Sequence, residues 1–488
     1  MVISSGSIDF RAGSRSRAGR NARSILVASV VILVFALAPF ATFVAPVRAA
    51  SPPPPVYYVS PTGSDTTGNG SVSSPFATIT HAVALATAGA TIVVGPGTYP
   101  EMVVVPVNLK LLSQSSLAST AIIDATGKIN GIAVVGSASA GTVIEGLTVQ
   151  NADDEGIYVQ DSSNVVIENN VVAHNALSPF AGVGEAKGIQ LTGTVDSTVA
   201  GNTVVGNEYG GIGITDVGAI NPSWNVTAAP NAGVPTATPA PGNGNVVSGN
   251  LVAANRPNHC AIVISAYNSG QGVSNNVVSG NTIVDNQNGV IIAADTPNTV
   301  AVNNTILSNA ILNNGEGGVV VHSNAPGDVV ANNLIADNVI SADGYPPTLE
   351  GIIVGGEGPV PVQVTTITGN TFQNEAIGIQ IVNAKTTYVG GNVMEATVRL
   401  QVNGTVTNIQ GTGSTGGSGS TGGTVTTTVS QTVTATATQT VTSTTSGTVS
   451  SGEGGLSFYA ALLTAVGTLI VGLIAGMVVR PIRESAGR

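Results

Sequence analysis

The rare charged and aromatic side chains of this 488-residue chain recur just ahead of a repeated Gly-Ile phrase. Asp153-Asp154-Glu155 come first, then Glu185 and Lys187, Glu208 and Tyr209, and Arg256 with Asn258 and His259. Asn286 and Asn288, Glu316, Asp343 with Tyr345 and Glu350, and Glu375 follow. Carboxylates at this density could hold Ca²⁺ through oxygen ligands, and the candidates are Asp153, Asp154, Glu155 and Glu185. Beside such a cation, Lys187 or Arg256 could take a proton from carbon next to a polarised carbonyl. Both are among only six basic residues between positions 50 and 479, so their presence in one row is informative. The plainer reading is a solvated acidic edge, with Lys187 paired to Glu155 or Glu185 as a surface ion pair worth about 0–1 kcal/mol.

Other chemistries fit less well. His81, His174, His259 and His322 occupy different parts of the repeat and lack metal-ligand spacing. Cys260 is the one cysteine, so no intrachain disulfide can form. Its place at a strand start suits buried packing better than a nucleophile. Trp224 lies in the longest insertion, Asp216 to Gly244, rich in proline and alanine. An exposed indole there could stack on a ring; the alternative is a tolerated loop glycosylated at Asn225. Asn69, Asn225, Asn303 and Asn403 head Asn-x-Ser/Thr sequons.

The elements that position these residues are set by the repeat. Gly131-Ile132, Gly156-Ile157, Gly188-Ile189, Gly211-Ile212, Ala261-Ile262, Gly289-Val290, Gly318-Val319, Gly351-Ile352 and Gly378-Ile379 each place a second apolar residue two positions on. That alternation points both side chains to one face of a short strand. A second phrase is headed by asparagine at 170, 202, 250, 281, 304, 333, 370 and 392, with another asparagine five residues later at 175, 207, 255, 286, 309 and 338. Gly146 and Asn151 fit this register one coil earlier. Successive heads are separated by 22 residues (Asn370 to Asn392) to 48 residues (Asn202 to Asn250), the long gaps holding insertions.

One such coil cannot bury its own apolar face. Stacking at the strand spacing of about 4.8 Å makes a continuous core, and asparagines at a bend can then bond amide to amide from coil to coil. Valine, threonine, asparagine and glycine disfavour a helical repeat. The expected fold is all-β: a right-handed parallel β-helix with an N-terminal cap, flanked by a signal peptide and a C-terminal transmembrane helix.

Residues 56–101 contain Tyr57-Tyr58-Val59-Ser60-Pro61-Thr62-Gly63, Pro75-Phe76-Ala77-Thr78-Ile79, a helix-like stretch His81 to Ala88, and Gly89-Ala90-Thr91-Ile92-Val93-Val94-Gly95-Pro96-Gly97-Thr98-Tyr99. This segment resembles the N-terminal segment, of unknown function, of pectin-lyase-like β-helix proteins. The coils after it resemble the repeats of carbohydrate-binding proteins and sugar hydrolases, a group that includes the copper-associated NosD-type periplasmic proteins. The resemblance implies that the first segment caps the open solenoid end. It also implies a polysaccharide cleft on loops flanking one sheet. Lys187 or Arg256 would then be a lyase base, calcium would neutralise a uronate, and Tyr209, His259, Trp224 and Tyr345 would contact substrate. A polygalacturonase-type hydrolase is disfavoured, because Asp153-Asp154 is not followed by Gly-His-Gly or Arg-x-Lys.

The two ends bound the location. Arg11, Arg15, Arg17, Arg20 and Arg23 precede an apolar run from Ile25 to about Val47, then Val47-Arg48-Ala49. This reads as a cleaved secretory signal over residues 1–49, or else as an uncleaved anchor. An uncharged run from Leu456 to Val479, followed by Arg480, Arg483 and Arg488, reads as a membrane span with its tail, 480–488, in the cytoplasm. Between them the expected order is cap and first coils 50–110, β-helix repeats 111–403, and a Ser/Thr/Gly-rich stalk 404–455. Six basic residues and 24 acids lie between positions 50 and 479, a net charge of −18 that repels nucleic acid. The function expected is a cell-surface, single-pass membrane protein that binds or organises extracellular polysaccharide or envelope glycans. A calcium-dependent polysaccharide lyase and a non-enzymatic adhesin are the alternatives.

Overall fold

The computed structural model describes residues 53–115, 118–177, 186–216, 240–255, 260–343, 350–356, 358–402, 406–410 and 439–440. The expected signal peptide, most of the stalk and the expected membrane span lie outside these residues. Among the described residues, no helix is long and apolar enough to cross a membrane.

Each coil contributes strands to three parallel stacks, and the chain climbs one rung per coil. The first stack is built on the Gly-Ile phrase: Ile132–Val135, Ile157–Gln160, Ile189–Thr192, Ile212–Thr215, Cys260–Ala266, Asn288–Ala294, Val319–Ser323 and Glu350–Val354. Its register is that of the sequence repeat, with Ile157 opposite Ile132 and Ile189, and Val290 opposite Ile262 and Val319. The second stack includes Val143–Glu145, Val166–Glu168, Thr198–Ala200 and Val246–Ser248, and its last described strand is Val406–Gln410. The third includes Thr148–Gln150, Val171–Ala173, Thr203–Val205 and Leu251–Ala253. It joins the first where the long strands Thr371–Ile381 and Val393–Val402 run through both.

The core is the sum of one or two apolar side chains per strand. Ile132, Ile157, Ile189, Ile212, Ile262, Val290, Val319, Ile352 and Ile379 are all buried, as are their partners two residues on. Burying a side chain of this size is worth about 1.5–3 kcal/mol. β-Branched residues suit the role because their restricted χ1 fits a pleated surface.

The corners follow a rule of their own. At each one, a residue with positive φ precedes an asparagine whose amide is buried. Gly201, Gly249, Gly280, Gly369 and Gly391 hold φ values of 63–69° just before Asn202, Asn250, Asn281, Asn370 and Asn392. Where glycine is absent, residues such as Asn169 (φ 57°) and Asp337 (φ 55°) take the same place, as their short polar side chains allow. Within a ladder, each asparagine after the first accepts the backbone N–H and the side-chain amide N–H of the asparagine one rung before it. Asn250 N and Nδ2 both lie 2.9 Å from Asn281 Oδ1. Asn281 in turn donates to Asn309 Oδ1 and Val247 O, each at 2.9 Å.

There are three such ladders where the sequence reading has two. Asn245, Asn276, Asn304 and Asn333 form one. Asn170, Asn202, Asn250, Asn281, Asn309, Asn338, Asn370 and Asn392 form the second. Asn175, Asn207, Asn255, Asn286 and Asn314 form the third. Asn304 and Asn333 therefore belong to a different corner from Asn281, and Asn309 and Asn338 take their place. Gly146 and Asn151 sit one residue early: Leu147 and Ala152 face Asn170 and Asn175. Asparagines five residues apart make a slip of one corner invisible to spacing alone.

At the N-terminal end, helix Ile79–Leu85 is capped by Thr78, whose hydroxyl accepts from His81 N at 3.2 Å. Glu101 also accepts from Ile79 N and Thr80 N at 2.9 and 2.8 Å. Ile79, Ala82 and Val83 join the same apolar core as Ala90 and Ile92 of the first coils. The helix is thus anchored on the apolar core of the first coils.

Candidate functional site

The outward face of the first stack carries two rows of side chains. One row runs Ala133, Tyr158, Gln190, Gly213, Val263, Ile291, Val320 and Ile353; the other runs Val135, Gln160, Thr192, Thr215, Ser265, Ala293 and His322.

Over the lower coils both rows are buried: Ala133 and Val135 pack with Tyr158 as a small apolar cluster, and Gln160, Gln190, Thr192 and Thr215 follow as polar side chains. Tyr158 donates to Gln160 Oε1 at 2.8 Å. Gln190 donates to Thr215 Oγ1 at 2.9 Å, while its Oε1 finds no hydrogen-bond partner among the described residues. That amide lies over Gly213, where a Cβ would come within 1.9 Å of Gln190 Oε1.

Over the upper coils the face is apolar and partly exposed. Ile291, Val320 and Ile353 stack as a floor three rungs long. On one side, Gln287 Nε2 and Asn288 Nδ2 donate to the Glu316 carboxylate at 2.6 and 2.7 Å. On the other, Asp295 collects three partners from different coils. Ser265 Oγ donates to it, Asn324 Nδ2 donates at 2.7 Å, and His322 Nε2 lies 3.3 Å away. Burial alone would push the Asp295 carboxyl up, but the bond to and charge of His322, with the other donors, hold it below its ordinary value.

The residues singled out from sequence are distributed as follows. Asp153 is half-buried, while Asp154 and Glu155 are buried behind it. Lys187, 1% exposed, stands one coil on and donates from Nζ to the Tyr209 carbonyl at 3.2 Å. Gly210 makes room for it, since a Cβ there would lie 2.8 Å from Lys187 Cδ. These residues are thus brought together along the edge where the strands begin.

Burial raises Asp154 to about 6 despite its bond to Glu155 and the charge of Lys187. Burial and the Asp154 charge raise Glu155 well above its ordinary value. Neither Glu155 oxygen has a hydrogen-bond partner among the described residues, in keeping with a carboxyl that burial biases toward its protonated form.

Glu185, Trp224, Asn225, Arg256, His259, Tyr345 and Asn403 lie outside the described residues. Among the described ones, no group of three or more His, Cys, Asp or Glu side chains is placed to hold a metal ion. Asn69 and Asn303 are exposed, and Cys260 is buried at its strand start.

Sequence reasoning weighed His322 only as a metal ligand and passed over Ser265, Asp295 and the floor. It followed only the edge where the strands begin, whereas these residues lie along the strands and at their ends. The available signal was the outward alternation itself: valine and isoleucine at positions that should be polar if solvated.

Residues 118–231 match the family model described as a right handed beta helix region. The chain is a right-handed parallel β-helix protein, and the resemblance to the pectin-lyase-like family holds at the level of the fold. No curated protein matches it. Among solved structures it is similar to pectate lyase Pel9A, at 16% identity and TM-score 0.46, covering 69% of this chain and 79% of that one. It is also similar to the alginate lyase from Paenibacillus sp. str. FPU-7, at 16% identity and TM-score 0.42, covering 72% of this chain and 99% of that one. The Azotobacter vinelandii mannuronan C-5 epimerase AlgE4 A-module is similar at 14% identity and TM-score 0.44, covering 65% and 91% respectively.

Proposed function

We propose that the chain is a polysaccharide-binding β-helix, displayed at the cell surface on the 404–455 stalk and the 456–479 membrane span. One observation carries this reading. An apolar floor of Ile291, Val320 and Ile353 is flanked along both sides by carboxylate and carboxamide groups. A sugar ring has the matching chemistry, with C–H faces that pack on aliphatic side chains and an edge of hydroxyls that donate to carboxylates. Rungs about 4.8 Å apart repeat that chemistry along a line, as a polymer requires.

Binding of soluble polysaccharides to the full-length protein tests the proposal, with His322→Ala and Glu316→Gln as variants. Each is expected to weaken binding at least about tenfold, the loss of roughly one charge-assisted hydrogen bond. Unsaturated product released from a uronate polymer, and abolished by Lys187→Ala or Arg256→Ala, would replace this reading with that of a calcium-dependent lyase. Absence of binding to every glycan would leave the adhesin reading.

A further inference from the structure

Resting on that reading, we infer that the floor over Ile291, Val320 and Ile353 takes an uncharged glycan and rejects uronate polymers. The argument is one of charge complementarity. Between Arg256 and Lys385 the sequence contains no lysine or arginine, yet it holds nine acids. All three floor strands, Asn288–Ala294, Val319–Ser323 and Glu350–Val354, fall inside this interval. The carboxylates of Glu316 and Asp295 border the floor on opposite sides. The histidine on the face, His322, is directed at Asp295.

A uronate laid along these rungs would bring one carboxylate per sugar against two fixed ones, and the one neighbouring cationic group, His322, is already directed at Asp295. Like charges in contact repel even in bulk water, and more strongly near a protein surface. An uncharged sugar meets the same groups as acceptors for its hydroxyls, at no such cost.

The test is a binding titration of the full-length protein with laminarin, xylan and mannan, with polygalacturonate and alginate, and with chitosan, the acidic polymers both with calcium and with chelator. At least one uncharged glycan is expected to bind ten times or more tighter than either acidic one. A second variant, Val320→Lys, is expected to weaken the uncharged ligand at least tenfold and to gain affinity for polygalacturonate. Val320 points outward and is partly exposed, so the fold tolerates the change. Polygalacturonate, alginate or chitosan bound preferentially by the unmodified protein would overturn the inference while leaving glycan binding intact. No binding to any member of the panel would overturn the glycan reading itself.

Discussion

The third asparagine ladder ends in two acids, and a substitution there tests the physics of the whole stack. Asn314 donates from its backbone N and from Nδ2 to Asp343 Oδ1 at 2.7 and 2.8 Å. Asp343 N then donates to Glu375 Oε1 at 3.1 Å. An asparagine at 343 would carry an amide N–H for the next rung; aspartate has none. Asp343 Oδ2 and Glu375 Oε2 are buried and without a hydrogen-bond partner among the described residues. A bound proton is what can stand in for the missing amide hydrogen.

Consistent with this, burial and the Glu375 charge push Asp343 well above its ordinary value. Burial, with the charge of Glu350, raises Glu375 from 4.5 to about 7. A raised folded-state value means that the native rung keeps its proton while the opened chain has lost it. The stabilisation is therefore full below about pH 4.5 and disappears as pH rises toward 7. At 1.36 kcal/mol per pH unit the loss reaches roughly 3 kcal/mol, about a hundredfold in local opening. Native-state hydrogen exchange on the intact protein reads this at the strands Val339–Ser341 and Thr371–Ile381. Asp343→Asn is expected to raise protection at neutral pH and to flatten its fall between pH 4.5 and 7; Glu375→Gln should flatten it further. If the wild type and Asp343→Asn lose protection in parallel across that window, the proton-completed rung is wrong.

Three further outcomes follow from the same geometry. Asn281→Ala removes two accepted and two donated hydrogen bonds at 2.9 Å and orphans buried groups above and below, so a loss of about 3–5 kcal/mol is expected in urea unfolding. Gly213→Ala drives a Cβ to within 1.9 Å of Gln190 Oε1 and should cost about 1–3 kcal/mol, most of it recovered in the double variant with Gln190→Ala, as a double-mutant cycle would show. At Gly280, with φ 64° and nothing within 4 Å of an added Cβ, alanine should cost about 1 kcal/mol and asparagine distinctly less in thermal unfolding, because asparagine already holds this conformation at 169.

The solenoid was legible because its signal is redundant. Every Gly-Ile phrase repeats the same two inward positions, and each copy alone predicts the strand that forms. Ladder phase was not legible. In the coil holding Asn276, Asn281 and Asn286, and again at Asn304, Asn309 and Asn314, three asparagines stand five residues apart, so a shift by one corner reproduces the pattern. Hydrogen bonds break that degeneracy; composition cannot. The same limit governs the site. Lys187 and Glu155 stood out because charge is rare in this chain, and they do meet near one edge. Ser265, Asp295 and His322 are 30 and 27 residues apart along the chain, and only the correct phase places them side by side.

That phase also joins the acid rung to the floor. A Cβ on Gly318 would lie 3.0 Å from Asp343 Oδ2, and Gly318 leads directly into Val319–Ser323, the strand that supplies Val320 and His322. Charging a rung this close to Gly318 is expected to disturb the strand that carries the centre of the floor, so glycan affinity should fall as pH rises from about 4.5 to 7. Asp295 would not produce this trend, because its carboxyl is held below its ordinary value and stays ionised throughout the window. If glycan binding favours the closed rung, mass action makes affinity follow the population of that state. A binding titration across this range should therefore show a steeper decline in the wild type than in the Asp343→Asn, Glu375→Gln double variant. Equal pH dependence in both proteins would separate the ladder from the face and remove the coupling.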